Sequence, residues 1–121
     1  MSSPNPLHGR WQMIRAELSG ESAPEEVVGR TILEITATGY RVEFDGQVAD
    51  AGDFALLETS SARILVLHGR SGPNAGRVIR GLLQQVGDRL RICYGLDATV
   101  PAAFTTAVGD ARYLATYRRL G

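Results

Sequence analysis

The feature that most constrains this fold is an apolar pattern of period two, broken by glycine-containing turns. Strict alternation of apolar and polar residues is typical of a strand with one buried face, since successive side chains point to opposite sides. Tyr40, Val42 and Phe44 alternate with charged residues in this way, and Asp45-Gly46 directly after them is a strong hairpin signal. The pattern therefore predicts an all-β protein.

Eight candidate strands follow one another from Gly9 onward. They are expected at about residues 10–18, 31–38, 40–45, 51–58, 63–68, 77–85, 89–94 and 112–120. Consecutive antiparallel strands with short connections close naturally into an up-and-down barrel, which leaves no sheet edge exposed. A two-sheet sandwich is the alternative. The 121 residues fit one domain, with residues 1–8 as an N-terminal tail and residues 9–121 as the barrel.

The regular pattern changes at three places. In the first strand the alternation shifts phase after Met13, which indicates a bulge. Residues 24–28 combine a proline with two glutamates, and we expect one helical turn there, over one mouth of the barrel. Residues 63–68 are apolar almost throughout, so the sequence leaves open which of them face inward.

Charge and composition exclude several classes of function. The 13 basic residues are all arginine and 13 acidic residues balance them, so nothing indicates a charge-driven interaction with nucleic acid or an anionic membrane. Because the chain has no lysine, a Schiff-base lysine and a P-loop lysine are excluded. Cys93 is the single cysteine, so no intramolecular disulfide is expected.

The N-terminal residues and the lengths of the apolar stretches bear on the cellular location of the protein. Residues 1–8 lack the apolar segment of a signal peptide, and no apolar stretch reaches the length of a membrane helix. We expect a cytoplasmic protein on this basis, and export of a longer precursor stays open.

Three motifs carry a resemblance to a known family. Gly9-Arg10-Trp11 opens the first strand, Gly87-Asp88-Arg89-Leu90-Arg91-Ile92-Cys93 ends a run that begins at Gly81, and Pro101-x-x-Phe104 precedes a last strand ending in Arg118-Arg119. Over residues 7–119 the chain resembles a family of small bacterial lipocalin-like (calycin) domains of unknown function, many of them from planctomycetes. One departure is Leu83, where family members often carry tyrosine.

The resemblance implies an eight-stranded lipocalin-like barrel but little about activity, since a fold does not determine a function. In lipocalins the tryptophan of Gly-x-Trp plugs the closed end of the barrel, and an arginine of the last strand packs across its face. Gly9, Trp11 and Arg119 match those positions here, with Arg118 as the alternative arginine. Arginine stacks well on tryptophan, so we expect a structural role for these residues.

The barrel interior is the candidate ligand site. An eight-stranded barrel either fills its interior with side chains or holds one small ligand. Three small residues are expected to leave room, and the tyrosines are expected to supply polar groups. The residues predicted to face inward are Leu33, Ile35, Ala37, Tyr40, Val42, Phe44, Phe54, Leu56, Ile79, Gly81, Leu83, Leu90, Ile92, Tyr94, Ala115 and Tyr117, of which Ala37, Gly81 and Ala115 are the small ones.

Residues 69–77 are glycine-rich, as phosphate-binding loops are. Arg77 stands in place of the usual lysine, Val78 in place of the following serine or threonine, and a strand rather than a helix is expected next. We therefore interpret the segment as a hairpin turn. Asp45, Asp50 and Asp53 likewise lack the terminal glutamate of a calcium loop and are explained by turn chemistry.

The histidines and the cysteine are weak candidates for chemistry. Neither His8 nor His68 has further ligands at metal spacing. His68 shares its alternation phase with Val66 and Ile64, so a lone haem ligand inside the barrel is an interpretation, less favoured than a solvated histidine at a strand end. Cys93 has no histidine beside it in sequence, and we expect a packing residue rather than a nucleophile.

The sequence thus predicts a non-enzymatic calycin-like protein that binds a small apolar or amphipathic molecule without a cofactor or a metal. The alternative is a protein-interaction or inhibitor module whose barrel is filled. An enzyme working at the barrel mouth is a third hypothesis. The identity of the ligand, the protein partner and the oligomeric state are left open.

Overall fold

A computed structural model describes residues 7–59, 62–97 and 99–120 of the chain. Within this part the elements are β1 (Gly9–Leu18), β2 (Glu21–Ser22), α1 (Glu25–Gly29), β3 (Thr31–Ile35), β4 (Tyr40–Phe44), β5 (Gln47–Glu58), β6 (Arg63–Ser71), β7 (Val78–Val86), β8 (Arg89–Gly95) and β9 (Arg112–Leu120). No helix among the described residues is long and apolar enough to cross a membrane.

The strands form one closed antiparallel barrel. Neighbours in the sheet follow the order β1-β3-β4-β5-β6-β7-β8-β9, and β9 pairs back onto β1, while the short β2 pairs only with β1. Every barrel strand therefore pairs with a strand on each side. The predicted eight-stranded up-and-down barrel is confirmed, and the sandwich alternative is wrong.

The predicted bulge in β1 is confirmed. Met13 pairs with Tyr117 and Arg15 with Thr116, so Ile14 is the extra residue. The insertion lets Trp11, Met13 and Ala16 all reach the core, although their spacing does not follow strict alternation. Ile14 is left 38% exposed.

The Asp45-Gly46 turn joins β4 and β5 as predicted. Both residues have positive φ, 55° and 83°, which is the geometry of a type I′ hairpin turn. On the other side of β3, α1 begins after Pro24 and presents Val28 to the core. The Gln12 side-chain amide holds this segment, because its Nε2 donates toward the carbonyls of Val28 and Thr31 at 3.2 and 3.1 Å.

Two expectations about facing are wrong. The strand expected at 31–38 ends at Ile35, and Ala37 is exposed in a turn closed by the Thr36 N–H, which donates to the Gly39 carbonyl. Phe44 is 40% exposed because β4 ends there, beside the turn. His68 is exposed on the outer face, in line with the favoured interpretation of a solvated histidine, because Leu65 and Leu67 take the inward positions of β6.

Candidate functional site

The interior holds most of the side chains that the sequence placed there. Val42, Phe54 and Leu56 are partly buried against the core. Alternation alone missed several core residues, since the bulge hid Ala16 and the uniformly apolar β6 hid the facing of its residues. The residues that were predicted to face inward and are buried are Leu33, Ile35, Tyr40, Ile79, Leu83, Leu90, Ile92, Tyr94, Ala115 and Tyr117. The buried residues that the prediction missed include Leu7, Met13, Ala16, Leu65 and Leu67.

One end of the barrel, here called the plug end, is closed around Trp11. This side chain is fully buried, and its Nε1 donates to the Leu7 carbonyl at 3.0 Å. The guanidinium carbon of Arg119 lies 4.2 Å from the tryptophan ring centroid, and Arg119 Nη1 donates to the His8 carbonyl at 2.9 Å. Gly9 leaves the space for this guanidinium, since a Cβ there would lie 2.9 Å from Arg119 Nη1.

Four tyrosines, which are all the tyrosines of the chain, project into the barrel from β4, β8 and β9. Tyr94 and Tyr113 stack with their ring centroids 6.0 Å apart. Tyr117 donates a hydrogen bond to Tyr94, and burial raises the pKa of both phenols. Burial, followed by the negative charges of Asp50 and Asp53, raises the pKa of Tyr40 to about 12. These phenols therefore stay protonated at neutral pH and act as hydrogen-bonding groups.

Two polar atoms on the β4–β5 side of the barrel have no hydrogen-bond partner among the described residues. They are the hydroxyl of Tyr40 and Oδ1 of Asp50, and both atoms are buried. The other carboxylate oxygen of Asp50 accepts a hydrogen bond from Asn74 Nδ2 at 2.8 Å. Buried polar atoms are normally satisfied by protein or by ordered water, so this corner has the chemistry of a water site.

The interior is packed where the sequence suggested space. A Cβ added to Gly81 would lie 2.8 Å from Ile92 Cγ2 and 3.0 Å from Tyr94 Cδ1. Both distances are shorter than ordinary carbon contacts. Gly81 is small because its neighbours on β8 already occupy the space beside it. The expectation that Gly81 leaves room for a ligand is therefore wrong.

The loop between β8 and β9 packs against the outside of the barrel. Cys93 lies beneath it, is fully buried, and its Sγ is 3.7 Å from the Thr105 carbonyl oxygen. Burial raises the pKa of this thiol. Pro101, which belongs to this loop, is also buried. Near the end of the loop that leads into β9, the Ser19 hydroxyl donates a hydrogen bond to the Asp110 carbonyl. The cysteine is thus a packing residue held in its thiol form.

Beside this loop a groove of about 870 Å³ opens on the outer surface. We call it the outer groove. Residues 100–105 form one wall and residues 82–85 the other, with Thr59, Ala62, Arg63 and Arg91 completing the lining. Arg91 Nε donates to Gln84 Oε1 at 2.6 Å, and the guanidinium carbon lies 4.1 Å from the centroid of the Phe104 ring. The groove therefore has an aromatic wall held in place by an arginine.

An apolar row on the outer face leads into this groove. The sheet register places Leu57, Ile64, Leu82, Cys93 and Leu114 side by side across five strands. The loop covers Cys93, whereas Leu57 at the other end is 52% exposed. The outer groove was not predicted from the sequence, although Arg91 and the Pro101-x-x-Phe104 motif, which carry the family resemblance, come together there.

The remaining candidate motifs serve local structure. In the glycine-rich segment the N–H groups of Ala75, Gly76 and Arg77 donate to carbonyls of the turn itself, and β7 follows. Arg70 pairs with Asp53 across β5 and β6. Among the described residues no three histidine, cysteine, aspartate or glutamate side chains are grouped to hold a metal ion.

Comparison with family models, with curated proteins and with solved structures gives no match for this chain.

Proposed function

We propose that this protein is a non-enzymatic barrel that binds a small amphipathic molecule in the outer groove. The observation that carries the proposal is the contrast between the two faces of the sheet. The inner face is packed at Gly81, while about 870 Å³ of concave space lies outside, beside residues 100–105. The proposal keeps the class of ligand expected from the sequence and moves its site from the interior to the surface.

The character of the outer groove supports a small molecule. Its volume lies within the range of about 300–1,000 Å³ that is usual for such sites. Leu82, Pro101 and Phe104 supply apolar surface, and a few polar side chains stand among them. Apolar walls with sparse polar groups give both affinity and orientation.

The lipocalin-like family is part of this proposal. The closed barrel and the contact of Arg119 with the face of Trp11 are what the Gly-x-Trp resemblance implies. In such a barrel the plug end is sealed by these two residues. The packing at Gly81 then argues that this chain uses a common architecture with a different binding surface.

A protein partner is the second candidate, on a separate observation. Leu57 is 52% exposed at the end of the outer apolar row, next to the groove. Outward positions of an antiparallel barrel are normally polar, and contiguous exposed apolar surface is typical of an interface. The row then forms the contact, and the groove receives one side chain of the partner.

The test uses N-phenylnaphthylamine, a neutral probe that fluoresces in apolar sites. Ala103 lines the groove and is exposed, so Ala103→Phe fills the space without disturbing the core. We expect probe affinity to fall at least about tenfold, which is about 1.4 kcal/mol. Val108→Phe is the matched control, because Val108 is 91% exposed in the same loop and does not line the groove.

Equal probe binding by both variants and by the parent overturns the proposed site. A parent protein that binds no probe overturns the small-molecule function itself, and the exposed row at Leu57 then becomes the candidate contact with a protein.

A further inference from the structure

One half of β5 has a neighbouring strand on one side only. β5 ends at Glu58, but its pairing with β4 stops where Gly52 lies opposite Tyr40. A Cβ on Gly39 would collide with the Gly52 carbonyl, so the turn between β3 and β4 closes directly against β5 at that point. On its other side β5 stays paired with β6 as far as Glu58. Residues 53–58 therefore form a free strand edge, here called the β5 edge.

The hydrogen-bonding phase of β5 shows which backbone groups point to this edge. At the end of the β5–β6 hairpin the Thr59 N–H donates to the Ala62 carbonyl at 2.8 Å. In an antiparallel pair, alternate residues of a strand direct both backbone groups to the same neighbour. Phe54, Leu56 and Glu58 therefore direct their N–H and C=O groups to the β5 edge, and the residues between them bond to β6. Among the residues that the structure describes, none forms a hydrogen bond with these groups.

The middle of the β5 edge carries apolar side chains on both faces of the sheet. Phe54 and Leu56 lie on the inner face and pack against the core, yet they are only partly buried. Ala55 and Leu57 lie on the outer face and are exposed, Leu57 by 52%. Unpaired backbone groups flanked by exposed apolar side chains form a template for a further strand. The β5 edge therefore fits an extended polypeptide.

The neighbouring turn limits which polypeptide can occupy the β5 edge. To bond every free group, a second copy of this chain would pair its Glu58 with Phe54 in an antiparallel arrangement. Its own hairpin turn after Thr59 would then lie level with Gly52, where Gly39 already packs. An extended segment that continues straight past the edge avoids this overlap.

We propose that the β5 edge binds an extended segment of a partner protein, which adds to the barrel as a further strand. The backbone of the segment bonds to Phe54, Leu56 and Glu58. Its alternate apolar side chains pack beside Leu56 on the inner face and beside Leu57 on the outer face. This inference does not depend on ligand binding in the outer groove, because it assigns a second site with a different kind of partner.

The test uses a synthetic peptide with the sequence of residues 63–68, blocked at both ends, because β6 is the strand that already pairs with this half of β5. Its binding is followed by amide hydrogen exchange measured by NMR. In the free protein we expect the amides of Phe54 and Leu56 to exchange faster than that of Leu57, which bonds to β6. Saturating peptide should slow exchange at Phe54 and Leu56 at least about tenfold and leave Leu57 unchanged.

Glu58 supplies a matched pair of variants, since its side chain is 61% exposed and ends the strand. Glu58→Pro removes an N–H from the β5 edge and leaves the pairing with β6 intact, which is where a sheet tolerates proline. We expect peptide affinity to fall at least about fivefold, the effect of one lost backbone hydrogen bond. Glu58→Gln keeps the N–H, so it should bind the peptide as the parent protein does. A peptide N-methylated at its central residues should bind neither.

The opposite results would overturn the proposal. Exchange at Phe54 and Leu56 as slow as at Leu57 in the free protein means that the β5 edge is already covered. A parent protein that does not bind the peptide, or binding that Glu58→Pro does not weaken, removes the assigned site. Dimerisation of the parent that is lost in Glu58→Pro assigns the edge to a second copy instead of a partner protein.

Discussion

At the scale of single residues, Gly81 shows most clearly how the barrel is packed. Ile92 Cγ2 and Tyr94 Cδ1 lie 2.8 and 3.0 Å from the position of a Cβ. We expect Gly81→Ala to lower the free energy of unfolding by about 1–3 kcal/mol, the usual cost of overpacking. Gly29→Ala is the control, because nothing lies within 4 Å of its Cβ position, and it should be neutral or slightly stabilising. Urea unfolding of both variants measures the difference, and a stable Gly81→Ala variant would mean that the interior holds space.

The residues at the plug end were predictable, whereas the close packing at Gly81 was not. The motif Gly9-Arg10-Trp11 and the terminal arginines marked the two partners that meet at 4.2 Å. Whether a glycine marks empty space depends instead on how far side chains of the next strand reach across it. That distance is set by the way the barrel closes, so it cannot be predicted from the order of residues along one strand.

At the scale of elements, the β8–β9 loop decides the chemistry of Cys93. The thiol is fully buried beneath the loop, and burial raises its pKa. The thiolate therefore forms only at a pH above the range in which an exposed cysteine ionises. We expect an aromatic disulfide reagent to react slowly with the native protein, with little increase between about pH 8 and 9, where an exposed thiol ionises. A rate equal to that of a free thiol peptide contradicts this arrangement.

A variant that loosens the loop sharpens this prediction. The Asp110 carboxylate accepts hydrogen bonds from the Ala107 and Arg112 amides at 2.7 and 3.2 Å. Asp110→Ala should therefore raise the reaction rate of Cys93 at least about tenfold, since a loop held by fewer hydrogen bonds opens locally more often. Asp53→Ala, which removes a surface ion pair with Arg70, should leave the rate unchanged.

Elements with a periodic pattern were predictable and the others were not. Alternation located the eight barrel strands, and a phase shift located the bulge at Ile14. The two-residue β2 was missed, because two residues are too few to show a period. The outer groove was missed for a related reason, since the wall formed by residues 100–105 is irregular and its position depends on contacts such as Ser19 with Asp110.

At the scale of the whole molecule, closing eight strands buries Tyr40, Tyr94 and Tyr117 and partly buries Tyr113. Burial raises the pKa of Tyr94, Tyr113 and Tyr117, and raises that of Tyr40 to about 12. The chain has no lysine, so apart from Cys93 the tyrosines are the side chains whose ordinary pKa, as in the unfolded chain, lies between about 9 and 12. Alkaline stability therefore reports on the barrel interior with little interference from the surface.

The barrel should unfold cooperatively at alkaline pH. Above about pH 10 the unfolded tyrosines lose protons while the folded ones keep them, so the free energy of unfolding falls as the pH rises. The loss can reach about 1.4 kcal/mol per pH unit for each tyrosine and continues for Tyr40 to about pH 12. Urea unfolding across this range, followed together with phenolate absorbance, should show the phenolates forming in step with unfolding. Tyr40→Phe removes one titrating phenol, so the free energy of unfolding should fall less steeply with pH, by up to about 1.4 kcal/mol per pH unit. If phenolate absorbance instead appears near pH 10 while the barrel is still folded, the tyrosines are in contact with water and the prediction is wrong.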